Sequence, residues 1–77
     1  MISIYTTCKD MEEAEKISKA LLGKRRIACS NLWPIKSQYW WKGKLEESDE
    51  FALLMKTQDK HFKEVEKEIK KLRLKIY

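Results

Sequence analysis

The feature that most constrains the fold of this chain is the apolar run Phe51–Met55, which reads Phe-Ala-Leu-Leu-Met. Side chains on a β-strand alternate between its two faces, so a strand with this sequence has no polar side chain on either face. Such runs are typical of strands that are covered on both sides. A chain of 77 residues with two helices can cover one face of a small sheet. We therefore expect another copy of the chain to cover the other face.

Size and cysteine content also favour self-association. Seventy-seven residues make a single domain, 1–77, and a domain this short buries only ~60% of the surface that its unfolded chain exposes. Disulfides, a structural metal or oligomerisation usually supply the missing stability. The two cysteines, Cys8 and Cys29, are too few for a disulfide framework. The one histidine, His61, leaves no Cys/His set for structural zinc.

The sequence gives no sign of export or of a membrane anchor. Its first seven residues lack a basic start and a long apolar core, and no apolar run approaches the ~18 residues that span a bilayer. These observations predict a cytoplasmic protein with free thiols and no membrane partner.

Positive charge is concentrated near the C-terminal end of the sequence. Residues 60–77 carry seven Lys/Arg and three Glu, a net of +4, whereas residues 1–59 carry ten Lys/Arg and nine acidic residues, a net of +1. A basic stripe is typical of nucleic-acid-binding proteins. Because Glu64, Glu66 and Glu68 interleave with the lysines, a solvated Lys/Glu helix face is favoured and no nucleic-acid partner is expected.

A strand and a helix are predicted at the start of the chain. Residues 2–7 are rich in β-branched and aromatic types, which favour a strand. Asp10 can cap a helix and Glu13 can complete a capping box. Apolar residues at helical spacing extend this helix over 11–23, with Gly23 as the predicted C-cap.

A long hairpin is predicted next. Residues 27–42 are interpreted as one strand bent at Pro34, because no cluster of turn residues separates its halves and proline cannot donate to a sheet ladder. Gly43 provides the tight turn, since glycine adopts positive φ readily. The third strand covers about 44–57, and its acidic first half is expected to face solvent or a partner's basic groups.

A second helix, capped by Thr57 or Asp59, is predicted from a narrow apolar stripe. Residues 72–77 fit either more helix or a short fourth strand, and the lack of a turn residue favours helix. The resulting order, βαββα with room for a final β, is that of a ferredoxin-like split βαβ domain, an α+β fold whose helices cover one sheet face.

Few residues are arranged for chemistry. A single histidine gives no nucleophilic triad, and neither a catalytic set nor a cofactor motif is predicted. Glu46 and Glu50 share one strand face and could work as acid and base or hold a hard cation, although exposed acidic hairpin residues are commoner. Cys29 is predicted to be a small core residue of a strand. Cys8, just before a helix, could be the more reactive thiol, but a structural role is favoured for both cysteines.

Aromatic residues crowd onto the second strand. Side chains of this kind beside lysines can stack on the bases of single-stranded RNA, so a small nucleic-acid-binding module using the basic C-terminal helix and this strand is an alternative hypothesis. Trp40 and Trp41 are neighbours and point to opposite faces, so only one of them can join a given platform. A packing or interface role is favoured.

The motifs of the chain resemble those of the CutA family, the divalent-cation tolerance proteins. The matching segments are Tyr5–Asp10, Ile27–Asn31, Phe51–Thr57 and, most specifically, Tyr39–Glu46, which reads YWWKGKLE. The resemblance implies a ferredoxin-like subunit of a compact homotrimer with PII-like architecture, in which long β2–β3 hairpins pair between subunits. It also implies a non-enzymatic protein linked to tolerance of, or response to, copper or another divalent cation.

The resemblance further implies site residues. Cys29 matches a family cysteine and is the candidate metal ligand. An intersubunit cleft is implied for five residues at recurrent family positions: Tyr39, Trp41, Lys44, Glu50 and Lys56.

The end of the sequence departs from the family pattern. Family members continue into a His-Pro-Tyr-Glu-type segment, a fourth strand and a final helix, whereas this sequence reads Leu72-Arg-Leu-Lys-Ile-Tyr77. We therefore expect a domain that is C-terminally truncated relative to the family, with its fourth strand shortened or absent. A purely structural trimer that has lost its ligand site is the third hypothesis.

Overall fold

The computed structural model describes residues 1–72, which form a three-stranded antiparallel sheet with two helices on one face. The elements are β1 (Ile2–Cys8), α1 (Met11–Gly23), β2 (Cys29–Trp41), β3 (Lys44–Thr57) and α2 (Phe62–Leu72), with a 3₁₀ turn at Asp59–His61. The strand order β1-β3-β2 confirms the predicted ferredoxin-like arrangement. The alternatives for the segment after Leu72 lie outside the described residues. No helix within residues 1–72 is both long enough and apolar enough to cross a membrane.

The N-terminus of α1 is capped as predicted. The Asp10 carboxylate accepts a hydrogen bond from the backbone N–H of Glu13 at 2.8 Å. In return, the Glu13 carboxylate accepts one from the backbone N–H of Lys9 at 3.1 Å. These bonds satisfy amide donors that have no partner within the helix. The helix then buries a single stripe against the sheet, which includes Ile17 and Leu21.

The C-terminus of α1 differs from the prediction, because Gly23 is not its reversal point. Gly23 is the last helical residue, and the chain reverses at Arg25, whose φ is +56°. The backbone N–H of Arg26 donates to the Leu21 carbonyl at 2.9 Å, and that of Arg25 donates to the Leu22 carbonyl at 3.0 Å. This is the Schellman pattern, in which a left-handed residue usually occupied by glycine closes the helix. Here an arginine occupies it.

The hairpin between β2 and β3 is continuous and tightly closed. Lys42 and Gly43 both have positive φ, 51° and 77°, which is the type I′ geometry that matches the twist of two antiparallel strands. β2 runs unbroken through Pro34, which pairs with Phe51 of β3. Since β2 is an edge strand in the order above, the N–H that proline lacks is not needed for a second ladder. One long strand was the correct prediction.

β3 is the central strand, and it extends well beyond its neighbour β1. It pairs with β2 along its length, from Lys44 to Lys56, but with β1 only from Phe51 to Thr57. The other half of the hairpin, residues 35–50, therefore projects beyond β1, and the described chain measures 40 × 23 × 20 Å. We refer to residues 35–50 as the hairpin arm.

The core lies between the sheet and the two helices. Leu53 and Met55 of β3 are fully buried there, together with Ile17 of α1 and Val65 of α2. Burying a side chain of this size contributes about 1.5–3 kcal/mol. One face of β3 packs against both helices, so this core accounts for the apolar residues on that face of the run Phe51–Met55.

Neither predicted cap of α2 acts as one. The Thr57 hydroxyl instead donates to the Arg26 carbonyl at 2.5 Å, which fastens the end of β3 to the segment after α1. Asp59 lies inside the 3₁₀ turn, and Gln58 before it makes no side-chain cap. Both capping predictions are wrong because the chain enters α2 through this extra turn.

Two ion pairs connect the end of α1 to α2. The Lys24 ammonium donates to the Glu68 carboxylate at 2.6 Å, and the Arg26 Nε lies 2.5 Å from a Glu64 oxygen. The hydrogen bond from Lys24 lowers the pKa of the Glu68 carboxyl below its ordinary value. These contacts neutralise two of the acidic residues on α2.

Replacing Arg25 with glycine is expected to stabilise the fold by about 1 kcal/mol, because a side chain in the left-handed region costs roughly 1–2 kcal/mol and glycine does not incur that cost. Urea unfolding of both proteins measures the difference. Lys24→Gly is the control, since Lys24 has a φ of −88° and gains no such relief. A less stable Arg25→Gly variant would contradict the prediction.

Acid should weaken the connection between α1 and α2. Because the pKa of Glu68 is lowered in the folded chain, its carboxylate stabilises the fold above the ordinary glutamate pKa of about 4.3, and this contribution disappears as pH falls through the folded pKa. Lys24→Gln should therefore flatten the fall in melting temperature below about pH 4.5. Lys19→Gln serves as the control, since the Lys19–Glu15 contact is longer, 3.8 Å. Equal acid profiles for both variants and the parent would contradict this assignment.

Candidate functional site

The sheet face opposite the helices is apolar at its centre. The register places Tyr5 beside Leu54 and Trp33 beside Ala52. The two rings lean toward each other across β3, with centroids 6.4 Å apart and planes inclined by 49°, within the range of attractive aromatic pairs. Ala52 is completely buried, while 56% of Tyr5 and 39% of Trp33 remain exposed. We call these four residues the open face.

The apolar run therefore faces two different environments. Leu53 and Met55 pack against the helices and are fully buried. Ala52 and Leu54 lie on the open face, where Leu54 is half-buried. The helices cover one face, as expected, and the cover of the second face by another copy of the chain stays a prediction.

A cavity of about 670 Å³ lies along the hairpin arm. Its wall combines two aromatic rings, three carboxylates, a hydroxyl and one ammonium group, from Tyr39, Trp41, Glu46, Glu50, Asp49, Ser48 and Lys9.

Strand periodicity brings most of these groups together. Tyr39 and Trp41 are two residues apart on β2 and share a face, as do Glu46 and Glu50 on β3. The register pairs Tyr39 directly with Glu46. Lys9 follows the last pair of the β1–β3 ladder, which ends at Phe51, and so it lies beside Glu50.

The predicted cleft residues are only partly together within this chain. Tyr39, Trp41 and Glu50 line the cavity. Lys44 pairs with Trp41 at the tip of the arm, whereas Lys56 lies at the far end of β3.

Sequence reasoning missed Lys9 as a site residue. Lys9 lies within the matching segment Tyr5–Asp10, but nothing in that segment singles it out, and it is the register between β1 and β3 that brings it to the cavity. By contrast, Glu46 and Glu50 were recognised from their spacing as a pair of carboxylates on one face, and both line the cavity.

The cavity is more acidic than basic. Glu46 and Glu50 are half-buried in its wall, and Lys9 is the ammonium group that faces them. Asp49 is strongly exposed and lies 3.9 Å from Lys36, so this contact is a surface ion pair of small energetic value. Carboxylate oxygens beside aromatic rings suit a cation, because the oxygens are hard ligands and the ring faces attract positive charge.

The environment of Cys29 is opposite to the one predicted, whereas that of Cys8 agrees with the favoured structural role for a thiol. Cys29 is the first residue of β2 and is exposed, whereas Cys8 ends β1 and is fully buried in the core. The alternation of β1 directs Cys8 toward the helices, and β2 begins at a position that no helix covers. Within residues 1–72 no group of three or more His, Cys, Asp and Glu side chains could hold a metal ion, so Cys29 has no ligand cluster there.

The family model described as CutA1 divalent ion tolerance protein matches residues 2–74. The chain belongs to the CutA1 family. This assignment confirms the resemblance carried by the YWWKGKLE segment, which contributes two aromatic rings and a carboxylate to the cavity.

Curated CutA1 relatives match most of the chain. The divalent-cation tolerance protein CutA of Archaeoglobus fulgidus is 51% identical over 67 residues, which cover 87% of this chain and 66% of that protein. The protein of the same name from Pyrococcus horikoshii is 46% identical over 72 residues, covering 94% and 71%. The chain thus spans roughly two thirds of the length of these relatives.

Solved CutA1 structures have the same fold. The Pyrococcus horikoshii structure superposes with a TM-score of 0.91 at 44% identity, covering 97% of this chain and 74% of that one. The Archaeoglobus fulgidus structure, described as a periplasmic divalent cation tolerance protein, gives a TM-score of 0.89 at 46% identity, covering 95% and 72%.

Proposed function

We propose that this chain is a non-enzymatic divalent-cation tolerance protein that acts in the cytoplasm as a homotrimer and responds to copper or another divalent cation. The match to the CutA1 family over residues 2–74 carries this proposal. Relatives from two archaea bear the name divalent-cation tolerance protein. The acidic cavity of the hairpin arm is the place in this chain best suited to a cation.

The carboxylates of the cavity supply oxygen ligands, but one chain supplies too few. A hard divalent cation takes six or more oxygen ligands, some of them from water, and residues 1–72 contain no group of three ligating side chains. A second copy placed against the arm would complete the set around Glu46 and Glu50. The cation site is therefore proposed to lie between subunits.

Cys29 cannot share an ion with these carboxylates in the same chain. It pairs with Lys56, whereas Glu50 pairs with Ile35, six residues further along β2. Six residues of strand span ~20 Å. Cys29 is therefore a separate candidate, a soft thiolate ligand that would favour copper(I).

The exposed apolar surface supports a trimer. Trp40, Trp41 and Leu45 at the tip of the arm are 74%, 58% and 62% exposed. A two-stranded hairpin is only marginally stable in water, and exposed aromatic surface of this kind marks an interaction site. Trp41 shares the face of Tyr5 and Trp33, whereas Trp40 and Leu45 pair on the other face of the arm, so sister subunits can contact apolar side chains on both faces of the hairpin.

The arrangement of the described residues supports the nucleic-acid alternative less well than the trimer. That hypothesis required the basic C-terminal helix and the aromatic strand to act on one ligand. α2 packs on the helix side of the sheet through Val65 and Ile69, whereas Trp33 lies on the opposite face. Trp33 and α2 therefore do not share one surface within residues 1–72.

Copper(II) is expected to quench the tryptophan fluorescence of the protein saturably, because Trp41 lines the cavity. Glu46→Gln combined with Glu50→Gln should weaken this response roughly tenfold or more, as loss of groups at a metal site does. Glu47→Gln is the matched control, since Glu47 points to the other strand face and accepts from Gln38 at 2.6 Å.

Each outcome of the copper titration separates the hypotheses. A response lost in Cys29→Ser but kept in the double glutamine variant would move the metal site to the thiol. No response in the parent protein would favour the structural trimer that has lost its ligand site.

Light scattering at micromolar concentration is expected to give three times the chain mass of 9.3 kDa. Trp33→Lys should dissociate the assembly, because it places a charge on the open face. Leu22→Lys on α1 is the control, since the two side chains are almost equally exposed, 39% and 40%, on opposite sides of the sheet. A folded monomer in the parent protein would contradict the trimer.

A further inference from the structure

A second, smaller cavity lies at the end of the sheet opposite the hairpin arm. It occupies about 130 Å³ where β3 ends and α1 passes into β2. Arg25, Arg26, Gln58 and His61 line it together with Ala28. We call it the Arg25 pocket.

The charge of the Arg25 pocket is positive. Two arginines line it, and no Asp or Glu among residues 1–72 does. Arg26 contacts Glu64 through its Nε at 2.5 Å, which uses one of the five N–H donors of a guanidinium group. The remaining donors of Arg26, the guanidinium of Arg25 and the amide of Gln58 are all groups that bind an anion.

The backbone at Arg25 is held in a conformation that is unfavourable for its side chain. A residue other than glycine in the left-handed region costs roughly 1–2 kcal/mol, and the φ of Arg25 is +56°. Glycine is the usual residue at this position of a Schellman motif. Strained backbone conformations of this kind concentrate at functional sites. Here the strained residue is an arginine in the wall of a cavity.

The walls of the pocket are fixed by hydrogen bonds that do not involve a ligand. The Thr57 hydroxyl donates to the Arg26 carbonyl at 2.5 Å, and the Ala28 N–H donates to the Lys56 carbonyl at 2.8 Å. The ion pair with Glu64 holds the Arg26 side chain. The Arg26 side chain and the backbone of these segments are therefore ordered before a ligand binds, which lowers the entropic cost of binding.

We propose that the Arg25 pocket binds a small tetrahedral oxyanion, a phosphate group. Guanidinium groups match phosphate in charge and in hydrogen-bond geometry. A volume of about 130 Å³ is roughly four times the ~30 Å³ that one water occupies, and well below the ~300–1,000 Å³ of sites for larger ligands. The ligand is free phosphate or the phosphate end of a small monoester, and this site is independent of the cation cavity.

Titrating the ¹⁵N-labelled protein with inorganic phosphate, at constant ionic strength balanced by chloride, tests the proposal. The amide signals of Arg26, Ala28 and Gln58 should shift saturably. Arg25→Gln should lower the affinity roughly tenfold, which is the loss expected for one hydrogen bond to a charged group. Lys60→Gln, which removes the same charge outside the pocket, should bind phosphate as the parent does.

The Arg25→Gly variant separates ligand binding from folding. It removes the guanidinium and relieves the backbone, so it should melt at a higher temperature without phosphate and show no saturable shifts with it. Equal phosphate shifts in Arg25→Gly and the parent, or shifts that do not saturate in the parent, would overturn the proposal. A second titration with glycerol 3-phosphate identifies the source: tighter binding than inorganic phosphate assigns a monoester, and weaker binding assigns free phosphate.

Discussion

The rest of the structure depends on how β3 pairs with two strands of unequal length. Fourteen residues of β3 lie beside thirteen of β2 but only seven of β1. The half that all three strands share carries the apolar run and supports both helices. The other half has no third strand beside it and becomes the hairpin arm, with acidic and aromatic side chains. The unequal lengths of the two strand pairings thus separate the packed core from the exposed hairpin arm.

This arrangement also explains why the proposed homotrimer would bury apolar surface that a single chain leaves exposed. The helices cover Leu53 and Met55 completely, but the open face has only the ring pair of Tyr5 and Trp33 above Ala52. The arm presents further exposed rings on both of its faces. Burial of apolar surface contributes roughly 25 cal/mol per Å². The rings of the open face and of the arm remain partly exposed in this chain, so their burial in an assembly would be favourable.

Two cavities of opposite character lie at the two ends of the hairpin. The cavity on the arm brings Glu46 and Glu50 together with aromatic rings, whereas the Arg25 pocket brings together two arginines. They differ in how the fold builds them. Strand alternation and the pairing of β2 with β3 bring together most of the acidic cavity, while the basic one needs a helix reversal, a strand start and a strand end to meet.

The sequence by itself determined what depends on near neighbours: the capping box of α1, the tight turn at Gly43, the two apolar faces of β3 and the shared face of Glu46 and Glu50. These follow from periodicity and turn chemistry within a few residues. Only the tertiary structure decided which thiol is buried, that α1 reverses at Arg25, and that Lys9 reaches the arm cavity. The reversal at Arg25 is a local motif that lacks the usual glycine. The other two outcomes depend on where distant segments meet, since β1 and β3 lie more than forty residues apart in the chain and their register is set by packing of the whole core.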